Sequence, residues 1–423
     1  MYDPLQSAYK RCHGVESALL KVKSDIDMIM DDGDAAILVL LDLSAAFDTI
    51  DHALLLQRLE NELGIRGMAL KWIESYLTNR QQCVVIGNAT SDPRPLTIGV
   101  PQGSVIGPLL FTLYMTPIMR ITEKYNISRH CYADDSQLYG RLPLKNPNGI
   151  RKVTMNMNKC IHEIRAWMLS NKLKINDKKT ELVIIGSCVA LEKLKSLPDA
   201  DLTIRVGEET ITPSTSARNL GAIFDSNMTM ELQVSSMTRR AYYHLRCIQQ
   251  IRNSINDDTC TKLIHACVTS RLDQHNALLT GCTQRQLHRL QLVQNNAARL
   301  LKRLRRRDHV SHVLQDLHWL PINARIEHKI TGFVHHALHS TRCPDYIKTM
   351  FVPYAPTRTL RSRADGHLVS VPRTRRVAGT KSPMSIGAQL WNSLNQEMRK
   401  TASRDNFLKL LKTHLFCTYF TRT

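Results

Sequence analysis

The residues best suited to chemistry in this chain are three aspartates in two separated motifs. Asp42 closes the apolar run Ala35 to Leu41, within Leu-Leu-Asp-Leu-Ser-Ala-Ala-Phe-Asp. Asp134 and Asp135 stand side by side in Cys-Tyr-Ala-Asp-Asp-Ser-Gln-Leu-Tyr, residues 131–139. Between them lies Gly-Val-Pro-Gln-Gly-Ser, residues 99–104. Carboxylates packed together repel, by about 4 kcal/mol for two charges about 4 Å apart at an effective dielectric near 20. A site that gathers three needs something strongly positive. Divalent cations supply it in nucleotidyl transfer, where they activate a hydroxyl and neutralise a leaving pyrophosphate.

The elements that must position these groups are legible. Ala35–Leu43 is a nearly continuous apolar run, which predicts a central strand covered on both faces. Ser128–Tyr132 and Gln137–Tyr139 are expected to pair as a hairpin around Ala133–Ser136. Its tip can aim Asp134 at the strand end that carries Asp42. Asp42 and Asp134 are then the expected bridging ligands of two Mg²⁺ ions, with Mn²⁺ as a substitute, Asp135 an auxiliary ligand and the backbone carbonyl of Leu43 completing one shell. The bland reading of Asp134-Asp135 is a plain turn; the preceding Tyr132-Ala133, Asp42 and the glycine loop weigh against it. Asp51 is expected to cap a helix starting near Ala53, with Asp48 serving the same turn.

A pocket for a nucleotide is expected around these acids. Phe47 can stand against the sugar and exclude a 2′-hydroxyl, although an isolated Phe is more often core. Gln102 can donate and accept hydrogen bonds beside the nucleotide, and Gly103 allows close backbone approach to a base pair. Lys179, in Asn-Asp-Lys-Lys-Thr-Glu, residues 176–181, can sit beside a triphosphate or assist proton transfer to pyrophosphate. Leu220-Gly221 is expected beneath the end of a primer, Gly221 permitting backbone contact.

The chain has 423 residues, a net charge of +20 and a pI near 9.6, which predicts more than one domain and a polyanionic partner. Eleven cysteines without a Cys-x-x-Cys are expected to be reduced thiols of an intracellular protein. No apolar run approaches membrane-spanning length, so no membrane partner is expected. The mixed αβ pattern, with helices over 17–30, 53–63, 67–77 and 153–169 and strands over 81–86, 182–185, 202–206 and 220–224, ends near Asp225. Helices are then expected over 231–253, 257–279, 283–303, 322–340 and 388–416. Basic residues concentrate there: Arg239 and Arg240 beside Tyr242 and Tyr243, then Arg299, Arg303 and Arg306 within a dense cluster, then an extended arm, about 354–385, carrying Arg358, Arg361, Arg363, Arg373, Arg375 and Arg376. These predict salt-sensitive contacts to primer and template phosphates.

Together, Gln6-Ser7-Ala8-Tyr9-Lys10, Leu41–His52, Gly99–Leu113, Tyr132–Leu138, Leu173–Glu181 and Asn219–Asp225 resemble the reverse transcriptase of non-LTR (LINE-type) retrotransposons of the jockey/CR1 group. Thr269-Ser270-Arg271-Leu272-Asp273, Val293–Arg299, Leu317-His318-Trp319-Leu320-Pro321, Leu390–Leu394 and Lys412–Phe416 are similar to the region that follows the palm in such elements. The resemblance implies an α/β (α+β) right-hand polymerase: a palm with partial fingers over 1–230, an all-α thumb over 231–310, and a helical C-terminal region over 311–423. It implies RNA-directed DNA synthesis from dNTPs on an RNA template and a DNA primer or target, in the nucleus, with the cytoplasm as the alternative. The family's upstream endonuclease and Arg-Pro-Ile fingers block are not found, so a truncated element copy is expected. A non-catalytic nucleic-acid-binding remnant and an RNA-dependent RNA polymerase are the competing readings.

Overall fold

The structure, a computed structural model, describes residues 3–44, 46–197, 201–355 and 367–420. Its elements run α1 (Val15–Asp31), β1 (Ala35–Leu41), β2 (Leu43–Ser44), α2 (His52–Asn61), α3 (Gly67–Leu77), β3 (Arg80–Gln82), β4 (Val85–Ile86), β5 (Ala89–Thr90), β6 (Arg94–Leu96), α4 (Gly107–Tyr114), α5 (Ile118–Lys124), β7 (Ser128–Tyr132), β8 (Asp135–Leu142), α6 (Pro147–Ser170), β9 (Lys174–Ile175), β10 (Glu181–Ile185), α7 (Cys188–Lys195), β11 (Ile204–Val206) and β12 (Glu209–Ile211). There follow β13 (Ser216–Asn219), β14 (Ala222–Asp225), α8 (Glu231–Ile251), α9 (Asp257–Ile264), α10 (Ser270–Asp273), α11 (Gln284–Lys302), α12 (Ser311–Asp316) and α13 (Ile322–His339). The last are α14 (Asp345–Lys348), α15 (Val377–Thr380), α16 (Pro383–Ser393), α17 (Gln396–Lys400) and α18 (Arg404–Phe420). Packing divides the chain into two compact units. One is Met1–Val15 with Ala35–Ile184 and Leu191–Ser214; the other is Glu16–Asp34 with Ile185–Ala190 and Thr215–Thr423.

The first unit is built on a four-stranded sheet in the order β10-β1-β8-β7. Ala35 to Val39 are fully buried, as a continuous apolar run requires of a strand covered on both faces. Ile37, Leu38 and Val39 each contribute about 2 kcal/mol of burial. β8 is antiparallel to both β1 and β7, and α6 packs against β8. Asp51 caps α2 as expected, accepting the Leu54 N–H at 3.0 Å. The expected strand 81–86 is two short strands, and β3 pairs with β6 through Gln81 opposite Pro95. Proline is tolerated at such a sheet edge.

Among the described residues the second unit is mainly helical, with β13 and β14 forming a hairpin. Leu220-Gly221 was placed in a strand by its pattern; it is instead the turn between these two strands, with φ of 45° and 87°. The expected helix 257–279 is broken. A π turn over His265–Thr269 joins α9 to α10, and His275 adopts a left-handed φ of 58° among poor helix formers. The expected helix 388–416 is three helices, because Asn395 caps α17 by accepting the Met398 N–H at 2.9 Å. α1 belongs to this unit. Glu16 accepts the Ala277 N–H and pairs with Lys329 at 3.1 Å, and Ser17 bonds Tyr346 at 2.9 Å. Asp31, buried, accepts the backbone N–H groups of Arg375 and Arg376 at 2.8 and 2.6 Å. The expected extended arm is therefore folded from Arg375 onward, because that carboxylate requires donors. Arg358, Arg361 and Arg363 lie outside the described residues.

This unit also buries histidines. Burial pushes His335 down from 6.5 to about 4, against a bond from its ring to the Thr401 carbonyl, and burial likewise lowers His275 and the half-buried His328 and His339. A histidine with a depressed folded value takes its proton only on unfolding within that interval. The stability is thus complete above 6.5 and declines as pH falls toward 4. The urea midpoint of the helical unit's transition is expected to drop between pH 7 and pH 5; a flat profile would show that these rings are not held neutral.

Candidate active site

Asp42 occupies the single residue between β1, which pairs with β8 up to Leu41 opposite Ser136, and β2, which pairs with β9 through Leu43 opposite Ile175. The Asp42 carbonyl accepts the Asn176 N–H at 2.9 Å, which ties the joint to the segment after β9. β7 and β8 close with Tyr132 opposite Asp135, leaving Ala133 and Asp134 as a two-residue turn in which Ala133 has a φ of 55°. The same register puts Asp135 next to Ser136, so Asp42 and Asp135 end adjacent strands. The hairpin is the expected one, with its turn two residues long.

The three carboxylates feel one another. Burial raises Asp134, and Asp42 raises it further, with Lys179 opposing. Asp135 is pushed up to about 6, first by burial, then by Asp134 and Asp42. Lys179, at the end of a short turn after β9, brings its Nζ to 3.1 Å from Asp42 Oδ2. Among the described residues no three metal-binding side chains converge on one point. The donor set is nevertheless made of hard carboxylate oxygens short of positive charge, which suits Mg²⁺ or Mn²⁺.

The glycine loop is laid against the turn that follows Asp42. The Val100 N–H donates to the Phe47 carbonyl at 2.8 Å and the Gly99 N–H to the Ile50 carbonyl at 2.7 Å. Gly99 has a φ of 84°, and a Cβ there would meet the Asp48 carbonyl oxygen at 2.8 Å, so glycine is required. Gln102 donates its amide to both carboxylate oxygens of Asp48, at 2.9 and 3.1 Å, giving Asp48 a role that its pattern did not reveal. Gly103, at φ 79°, has nothing within 4 Å of a would-be Cβ, leaving open space beside it. Phe47 is half-buried and stacks on Phe111, with ring centroids 4.6 Å apart. Tyr9 meets Phe47 edge-on at 6.4 Å, is 58% exposed, and is raised by burial and then by Asp134. Tyr9 was not singled out as a site residue; its place beside Gln6 in the Gln6–Lys10 block was the available signal.

The remaining candidates lie in the second unit. Gly221 forms the β13–β14 turn. Arg239, Arg240 and Tyr243 are exposed on α8, whereas the Tyr242 hydroxyl accepts from Asn296 at 2.9 Å. Arg303 and Arg306 are exposed after α11, Arg303 in a left-handed conformation. Arg299 is committed internally, donating to the Asp308 carbonyl at 3.1 and 3.3 Å and to Asn296 at 3.2 Å. No helix among the described residues is long and apolar enough to cross a membrane.

Comparison with known proteins supplies the family. Residues 2–224 match the family described as reverse transcriptase (RNA-dependent DNA polymerase). The "Probable RNA-directed DNA polymerase from transposon BS" of Drosophila melanogaster is 23% identical over 304 residues, covering 70% of this chain and 32% of that protein. The "RNA-directed DNA polymerase from mobile element jockey" of the same fly is 25% identical over 193 residues, covering 43% of this chain and 20% of that one. The chain thus spans a third or less of the length of these relatives. A solved telomerase from Candida albicans, in complex with a fragment of telomeric RNA, overlaps 78% of this chain and 52% of its own at a TM-score of 0.35 and 10% identity, a level that carries no structural conclusion. On the match over more than half its length, this chain belongs to the reverse transcriptase family, and it is similar to the RNA-directed DNA polymerases of non-LTR retrotransposons.

Proposed function

We propose that the chain is the polymerase part of a non-LTR retrotransposon enzyme, adding dNTPs to a primer 3′-hydroxyl along an RNA template. The observation that carries this reading is the placement of Asp42 and Asp135 at adjacent strand ends with Asp134 in the turn beside them, near enough for these charges to act on one another, and Lys179 as counter-charge. In this reading residues 1–230 are the palm with partial fingers, 231–310 the thumb and 311–423 a helical extension. Two divalent cations, Mg²⁺ or its substitute Mn²⁺, held by Asp42, Asp134, Asp135 and the Leu43 carbonyl, would activate the hydroxyl and neutralise the pyrophosphate. Lys179 exchanges its bond with Asp42 for one with the triphosphate. Phe47, braced by Phe111, stands against the sugar, while Gln102, held by Asp48, and the open side of Gly103 receive the new base pair. Gly221 lies under the primer end, and Arg239, Arg240, Arg303 and Arg306 meet phosphates. Arg299 acts through the turn it holds at Asp308. A nuclear site of action, with the cytoplasm as the alternative, belongs to this reading.

The test is primer extension on an RNA template with dNTPs and Mg²⁺. Wild type is expected to extend and Asp134→Asn to fail; equal extension by both would overturn the assigned chemistry. Phe47→Ala is expected to admit rNTPs about tenfold or more better relative to dNTPs, the loss of about 1.4 kcal/mol of exclusion. An enzyme that prefers rNTPs at the outset would be an RNA polymerase instead. The non-catalytic reading draws on the net charge of +20 and predicts salt-sensitive binding without extension.

A further inference from the structure

Gln6 is buried beside β7, and its side chain serves the turn that carries Asp134. Its Oε1 accepts the Ala133 N–H at 2.9 Å and the Ala8 N–H at 3.0 Å, while its Nε2 donates to the Ala133 carbonyl at 3.1 Å. One amide thus satisfies both backbone groups of a single residue. That residue is the left-handed one, a conformation disfavoured for any side chain with a Cβ. Left-handed backbone at a non-glycine position persists where its surroundings over-determine it. Ala133 is also joined directly to Asp134, so relaxation of its φ toward the extended region would swing the carboxylate away from β1.

The segment around Gln6 is fixed by bonds of its own. Ser7 N–H donates to the Cys131 carbonyl and Cys131 N–H to the Leu5 carbonyl, both at 2.9 Å, and Ser7 Oγ bonds His130 Nε2 at 2.8 Å. Asp3 pairs with buried Arg129 at 2.9 Å. Residues 3–8 are therefore held along β7 independently of the Gln6 amide, which leaves that amide to act on the turn.

We propose that Gln6 is a positioning residue: an amide lock that keeps Ala133 left-handed and so directs Asp134 and Asp135 toward Asp42. The lock is read from geometry; its effect on catalysis rests on the polymerase reading above.

The experiment compares Gln6→Leu, Gln6→Glu and Ser7→Ala in the full chain. It measures amide hydrogen exchange over residues 131–138, Mn²⁺ binding by electron paramagnetic resonance, and kcat and KM for a dNTP. Gln6→Leu is expected to speed exchange at Ala133 about tenfold or more, weaken Mn²⁺ binding about tenfold and lower kcat about a hundredfold, with KM for the dNTP within about threefold. Gln6→Glu keeps an acceptor for the Ala133 N–H and is expected to fall between Gln6→Leu and wild type, which also decides the matter should the leucine variant fold poorly. Ser7→Ala loosens the same segment but spares the amide, and its Mn²⁺ binding is expected to match wild type. Wild-type exchange and Mn²⁺ binding in Gln6→Leu and Gln6→Glu would overturn the proposal, as would an equal loss of Mn²⁺ binding in Ser7→Ala. A wild type that extends no primer counts against the polymerase reading alone, since exchange still decides the lock.

Discussion

Asp42→Asn is expected to cut templated extension by about a thousandfold or more, equivalent to about 4 kcal/mol of barrier, while the melting temperature stays level or rises. The split follows from what Asp42 does in each setting. In the proposed reaction it is the acid at the meeting point of β1 and β8, and an amide there cannot supply the negative charge a cation site needs. In the resting fold it repels Asp134 and Asp135, raising both, so neutralising it relieves strain. Its bond to Lys179 is worth little against this, because that lysine side chain is 68% exposed and such pairs contribute about 1 kcal/mol at most. Extension assays in Mg²⁺ and Mn²⁺, run beside thermal melts, test both halves. Retained extension would remove the cation site from this strand junction. A melting temperature lowered as for a core variant would make Asp42 a structural residue.

Arg58→Met is expected to cost about 3 kcal/mol and lower the melting temperature by several degrees. Arg58 projects from α2 and is only 9% exposed. Its guanidinium donates to the Tyr114 carbonyl at the end of α4 and, at 2.6 Å, to Asn171 Oδ1 at the end of α6. It also lies over the rings of Tyr114 and Trp167, at 4.7 and 5.3 Å. Methionine replaces the volume but leaves two buried acceptors without donors, each costing about 1–3 kcal/mol. Urea denaturation of Arg58→Met against Arg58→Lys measures it. Lysine restores charge without the planar fork and is expected to recover only part of the loss. No loss in Arg58→Met would mean that water reaches those acceptors.

The parts of the site that were legible depend on local pattern. The run ending at Asp42 could only be a strand buried on both faces, and Tyr-Ala-Asp-Asp between alternating residues read as a hairpin tip. What stayed hidden acts across distance. Gln6 and Ala133 are 127 residues apart, and no periodicity links an amide side chain to a turn that far away. Asp48 looked like turn chemistry until Gln102 was seen to need its carboxylate. Arg299 and Arg376 illustrate the opposite error. Composition marks an arginine as cationic but does not say whether its donors are already committed, as these are to Asp308 and Asp31. The broken helices have a simpler cause, since an apolar stripe continues across a break when both pieces face the same core.

The placement of α1 has a consequence for biosynthesis. The helix leaves the ribosome ahead of its partners: Ser17 waits 329 residues for Tyr346, and Asp31 waits 345 for Arg376. At about 5–20 residues per second that interval is roughly 15 to 70 s. Meanwhile Leu19, Leu20, Val22 and Ile26, fully buried in the finished protein, have no permanent cover. Nascent chains are therefore expected to occupy chaperones until residues 346–376 are made, and recombinant fragments stopped before them to collect as inclusion bodies.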